Sequence, residues 1–168
     1  MNNRIITTYG QDLWKMTKDV LKKAELEKMI PKGALIGIKP NLVVAKSSSS
    51  GATTSPVIVS ALIEYLKEHK YDNLVILESS WVGESTKRAF KICGYDDISK
   101  KYNVPLSDVN QDTYTMKTFN GMNMEVSDKA LSLDFLINVP VLKGHCQTLV
   151  TGALKNIKGC ISDREKRN

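Results

Sequence analysis

The sequence predicts an α/β fold, a mostly parallel sheet flanked by helices, with one small β-hairpin inserted. Short apolar runs of strand length alternate with longer amphipathic stretches of helical period, the pattern of strands joined by helical crossovers. Runs such as Leu74–Leu77 are apolar at every position, as strands covered on both faces are. Polar clusters follow three of the runs, at residues 39–41, 78–80 and 143–145, so the strands would end along one rim. The expected arrangement is doubly wound, Rossmann-like and three-layered. At 168 residues the chain is expected to form one domain over its whole length, since a chain of about 150 residues buries roughly 68–70% of its unfolded surface.

The first element predicted is a helix from Asp12 to Ile30, on which Leu13, Met16, Val20, Leu21, Ala24, Met29 and Ile30 recur near a 3.6 period between lysines. Trp14 falls on its apolar face and is expected in the core. Pro31-Lys32-Gly33 should end it. Ala34–Ile38 is too brief for a helix and reads as a strand, stopped at Pro40, which lacks a backbone donor. A small, polar loop, residues 46–56, carries Ser55 as N-cap and Pro56 as first helical residue. Ile58, Ala61, Leu62, Tyr65 and Leu66 mark the helix that follows, with His69 solvated at its end. Asn73–Leu77 is the second strand and Glu84–Cys93 the third helix, stopped by Gly94. Val104–Val109 is a weaker strand that Pro105 moves to a sheet edge. Asn120-Gly121 between alternating residues signals a tight hairpin within Thr115–Val126. Leu133–Val139 is the most apolar strand, and Thr148–Ile157 is expected as a last helix, weakened by Gly152.

Composition narrows the function classes. With 42% hydrophobic and 25% charged residues the chain fits a globular domain rather than a disordered or collagenous one. No apolar stretch is long enough to span a bilayer. Met1-Asn2-Asn3-Arg4 leads into polar residues rather than a signal core, so a cytoplasmic setting is expected. The formal charge of +6 comes from residues 1–32, with seven bases and four acids, and residues 155–168, with five bases and two acids. No basic stripe interleaved with aromatics appears, so neither nucleic acid nor membrane is an expected partner. Cys93, Cys146 and Cys160 form no paired motif and by themselves cannot supply the four thiolates of a common iron–sulfur centre. No metal site is expected within the chain.

In an open parallel sheet the ligand lies beyond the carboxyl ends of the strands, where the strand order reverses. Lys39, Lys143 and Lys155 are therefore the expected anion contacts. Asn41, Thr53, Thr54 and Ser55 are the expected neutral donors, at a loop whose backbone N–H groups face a helix start. His145 and Glu78 are the acid–base candidates, His145 because its free pKa lies near neutrality. Trp81 sits in the same rim, either over a ligand or packed under its loop. The loop lacks both the Gly-x-x-x-x-Gly-Lys-Ser/Thr and the Gly-x-Gly-x-x-Gly orders, which disfavours the two commonest nucleotide sites.

Four blocks carry a family resemblance: Ile38-Lys39-Pro40-Asn41-Leu42-Val43, Gly51-Ala52-Thr53-Thr54-Ser55-Pro56, Ile137–His145 and Val150–Gly159. In that order they resemble the domain of unknown function 362. The resemblance implies an iron–sulfur-associated protein, often joined to a ferredoxin-like module with two cysteine-rich motifs, and it names no reaction. It also implies that these residues correspond to the amino-terminal part of a longer domain. The expected function is binding of an acidic or phosphate-bearing small molecule, as part of a redox protein whose 4Fe-4S cluster sits on a separate module. Two alternatives stand beside it. One is an interaction module whose basic tail and first helix dock a ferredoxin-like partner or the second half of the domain. The other is a metal or cluster site at His145, Cys146 and Cys160 completed by another segment or chain.

Overall fold

A computed structural model describes residues 4–167; Met1, Asn2 and Asn3 of the polar start lie outside the described residues. The centre is a four-stranded parallel sheet of β1 (Ile36–Pro40), β2 (Leu74–Glu78), β3 (Leu106–Asp108) and a strand that is sixth in chain order, β6 (Phe135–Val139). Their spatial order is β3-β2-β1-β6. From β1 the chain steps outward to β2 and β3, then returns to the other side of β1. The order therefore reverses between β1 and β6, where the loops leaving two neighbouring strands diverge and open a crevice.

Helix α1 (Leu13–Ala24) packs on α2 (Pro56–Glu68), which links β1 to β2. Ser55 caps α2 by accepting from Val57 N at 3.3 Å, with Pro56 at its start, as the sequence predicts. Helices α3 (Thr86–Ile92) and α4 (Tyr95–Tyr102) link β2 to β3. Gly94 does end α3, but it adopts φ 79° and starts α4 directly; the sequence reading did not separate that second helix. Ile36, Ile38, Leu74 and Ile76 form one cluster with Val59, Leu62, Ile63 and Leu66 of α2 and with Phe90, Tyr95 and Ile98. Each such side chain, fully buried, contributes about 1.5–3 kcal/mol. Alternate residues face the other side of the sheet. There a Cβ at Gly37 would run into the side-chain ends of Leu133 and Leu77, which would have to shift to admit it.

Several expected boundaries move. Helix α1 stops at Ala24 because Glu25 turns left-handed (φ 52°). A 3₁₀ turn over Leu26–Lys28 follows, which brings Leu26 and Ile30 into the core. The Tyr71 hydroxyl ties this segment to Glu27 O and Ile30 O, both at 2.9 Å. Trp14 is not a core residue: it is 41% exposed and donates its Nε1–H to Glu64 at 3.1 Å, because a large indole with a polar edge satisfies itself better at the rim of the α1–α2 contact. His69 is exposed at the end of α2, as expected, with its ring against Tyr65.

The hairpin is present as β4 (Tyr114–Phe119) and β5 (Met122–Ser127), turning at Asn120-Gly121, both at positive φ. A short helix, α5 (Asp128–Leu131), leads to β6. The expected helix over Thr148–Ile157 is replaced in its first part by a strand. Lys143–His145 (β7) pairs antiparallel with Leu149–Thr151 (β8), and α6 covers only Ala153–Ile157. Gly152, with extended backbone (φ −159°, ψ −155°), is the N-cap at which α6 starts after β8. A 3₁₀ turn, Lys158–Cys160, and α7 (Asp163–Arg167) close the described chain.

Candidate functional site

The carboxyl ends of β1 and β2 meet in a buried ion pair. Lys39 Nζ donates to Glu78 Oε1 and Oε2 at 2.8 and 2.9 Å, with both side chains essentially inaccessible. Glu78 also accepts from Leu42 N at 3.2 Å and Ser79 N at 2.9 Å. Burial holds its carboxyl above the ordinary carboxylate value, opposed by Lys39 and those N–H donors. Gly159 lies directly over the pair: a Cβ there would stand 2.6 Å from Lys39 Nζ and 2.8 Å from Glu78 Oε1. Lys39 thus supports the strand ends from below, and its ammonium is engaged with Glu78 rather than turned to solvent.

An amide network joins β1, β6 and α6. Asn156 Nδ2 donates to Asn138 Oδ1 at 2.7 Å and to Pro40 O at 3.2 Å, while its Oδ1 accepts from Asn41 Nδ2 at 2.9 Å. Asn41 Oδ1 in turn accepts from Lys143 Nζ at 3.0 Å, and Lys143 also donates to Ala52 O. The network fixes Lys143 at the reversal point between β1 and β6. Burial lowers the Lys143 pKa below its ordinary value, Lys155 adds repulsion and Glu78 opposes both.

Beyond these groups opens a cavity of about 950 Å³, within the range of small-molecule sites, bordered by Asn41, Glu78, Trp81, Lys143, His145, Thr151, Lys155, Lys158, Gly159 and Lys166 among others. Its lining is strongly basic, and its one acid among the described residues is Glu78, already paired. The surplus positive charge of the carboxyl-terminal residues therefore lies around this opening. Lys166 is held by Asp163 at 2.8 Å and Ser79 at 2.6 Å, whereas Lys155 has no ion pair among the described residues. His145 Nδ1 accepts from Gln147 N at 3.1 Å and Thr148 N at 3.3 Å. This leaves Nε2 to carry the proton of the neutral ring. Burial, with Lys155 and Lys143 nearby, lowers the His145 pKa below 6.5. Thr151 belongs to the lining, and its Oγ1 is buried without a hydrogen-bond partner among the described residues. Such groups are rare.

Of the residues expected from the sequence, Asn41, Glu78, Lys143, His145 and Lys155 border the cavity together. The three small hydroxyl residues do not. Thr54 Oγ1 accepts from Asn41 N at 2.8 Å and donates to Val139 O at 2.7 Å, bridging β1 to β6. Thr53 Oγ1 donates to Lys46 O at 2.9 Å, and Ser55 serves its own helix. Their hydroxyls organise the loop. Asn138, Thr151, Asn156 and Gly159 were missed by the sequence reading. An asparagine inside the apolar run Ile137-Asn138-Val139 was the one signal available for this group, since a buried amide needs partners.

Cys93, just after α3, and Cys160, at the end of the Lys158–Cys160 3₁₀ turn, are buried, and Cys146, in the turn between β7 and β8, is exposed. Among the described residues no three His, Cys, Asp or Glu side chains converge. Nor is any helix among them long and apolar enough to cross a membrane. A family model described as a domain of unknown function, DUF362, matches residues 36–168. The chain is also similar to thylakoid-associated protein sll1697 of Synechocystis sp., with 24% identity over 134 residues, 80% of this chain and 41% of that protein. The chain thus spans about two fifths of the length of that relative.

Proposed function

The chain belongs to the family of the domain of unknown function 362, and from that premise we propose that its cavity binds an acidic or phosphate-bearing small molecule in the cytoplasm, beside a redox centre carried on a separate module. One observation carries the anion reading. Lys143, His145 and Lys155 border a single cavity at the reversal of strand order, and Lys39 already neutralises its one acid among the described residues. Cations left without counter-charge around a concavity attract an anion, and partial burial strengthens that attraction.

The roles divide by availability. Lys155 and Lys143 contact the anion, with Asn41 holding the Lys143 ammonium in place. His145 donates from Nε2 and, with burial and the nearby Lys155 and Lys143 lowering its pKa, takes up a proton at lower pH than a free imidazole does. Lys39 and Glu78 keep the ends of β1 and β2 in register below the ligand. Titration calorimetry with inorganic phosphate tests this. Lys155→Ala should weaken binding by about 2–5-fold, as for an accessible ion pair. Lys143→Ala should weaken it by about 10-fold or more, as for a charge-assisted bond in partial burial. Both variants keep the wild-type circular dichroism. Unchanged affinity in both, or no phosphate binding by the wild type, contradicts the reading.

A further inference from the structure

We propose that the ligand of this cavity carries a flat aromatic or heteroaromatic ring beside its anionic group, and that Trp81 stacks on that ring. The proposal rests on the anion reading above and adds the other half of the ligand. Trp81 borders the same cavity as Lys143 and Lys155, with Val43 and Val82 beside it, and it is 61% exposed.

Exposure of a large apolar side chain is common in itself; here the backbone that carries the indole is tied to its neighbours. The Trp81 backbone N–H donates to Val43 O at 3.0 Å, and its backbone carbonyl accepts from Glu84 N at 2.8 Å. Glu84 in turn accepts from Ala45 N at 3.1 Å and Ser85 N at 2.9 Å, so the loop is tied on both sides. Gly83, at φ 111°, has its missing Cβ only 3.1 Å from the six-membered edge of the indole. The glycine lets the ring lie back against the loop and leaves the rest of the indole open. A tethered loop that keeps an indole uncovered at the edge of a basic cavity is organised to receive a second ring. Phosphate alone leaves most of the 950 Å³ empty. The second tryptophan, Trp14, bonds to Glu64 and is absent from this lining.

The test compares inorganic phosphate with phenyl phosphate by titration calorimetry. It is supported by tryptophan emission in a Trp14→Phe background, where Trp81 is the only reporter. Phenyl phosphate should bind about 2–12-fold more tightly, the range set by aromatic pairing of about 0.5–1.5 kcal/mol, and should alter Trp81 emission. Trp81→Ala should collapse the ratio of the two affinities toward one, and Trp81→Phe should restore most of it. Lys155→Ala should lower both affinities together and keep the ratio. Equal affinities in the wild type, or a preference that survives Trp81→Ala, overturns the proposal while leaving the anion reading intact. Failure of both compounds to bind overturns the anion reading and this inference with it.

Discussion

Replacing Gly159 by alanine is a sharp test of how the strand ends are built. The new Cβ would lie 2.6 Å from both Cε and Nζ of Lys39 and 2.8 Å from Glu78 Oε1, well inside contact distance. A flexible lysine usually swings away at little cost. Lys39 is fully buried, and its ammonium is held by both Glu78 oxygens and by Pro40 O at 3.2 Å. Overpacking of a filled interior costs about 1–3 kcal/mol, and loosening a buried pair raises that toward about 3–5 kcal/mol. The expected loss is therefore about 2–4 kcal/mol, a fall in melting temperature of roughly 5–15 °C at this size. The sign is informative. At a position without such a contact, glycine to alanine stabilises by about 0.4–1 kcal/mol through the unfolded chain, and Gly159 is not among the glycines held at positive φ.

Urea unfolding followed by circular dichroism measures the difference. The same substitution is then made in a Lys39→Ala/Glu78→Ala background, which removes both charges together and leaves none unpaired. There the alanine at 159 should cost nothing or add stability. A variant as stable as wild type, or a cost that persists in that background, would refute the close packing of the carboxyl-terminal turn over the ion pair.

Two further outcomes follow from the same geometry. Sulfate keeps its double charge across the range, so its affinity between about pH 8 and pH 5 reports on the protein. Because the His145 pKa is held below 6.5, affinity should stay level from about pH 8 to 7 and rise only as acid adds the imidazolium charge; His145→Gln should abolish the rise. A flat wild-type profile, or a rise retained in His145→Gln, removes His145 from the site. Thr54→Val keeps the shape but leaves Asn41 N and Val139 O without the hydroxyl that joins them, and should cost about 2–3 kcal/mol in urea unfolding. A cost below about 0.5 kcal/mol would show that Thr54 does not brace β1 against β6.

The sheet was legible because its signals are local. Apolar runs at 36–38, 74–77 and 135–139 have strand length and strand composition, Pro105 marked an edge, and Asn120-Gly121 marked a hairpin. The β7–β8 hairpin was not legible, since Lys143–His145 and Leu149–Thr151 are short, half polar, and joined through Leu149 at φ 62°, a conformation side chains do not advertise. The rim position of Lys143 and His145 followed from strand polarity, and that of Lys155 from its place on the last helix expected from the sequence. The engagement of Lys39 and the hydroxyl residues did not. A lysine or threonine after a strand reads the same whether it faces a ligand or a buried carboxylate, and Lys39 and Glu78 are 39 positions apart. Gly159 was invisible for a similar reason, because its purpose lies in atoms that arrive from β1 and β2.

The most direct measurement is a titration of ¹⁵N-labelled protein with inorganic phosphate, following backbone amide shifts in an assigned spectrum. Saturable shifts should gather at residues 143–155 and 79–82, around the opening where β1 and β6 part. Shifts confined to Arg164–Arg167 or to helix α1, or shifts that never saturate, would contradict a built anion site there.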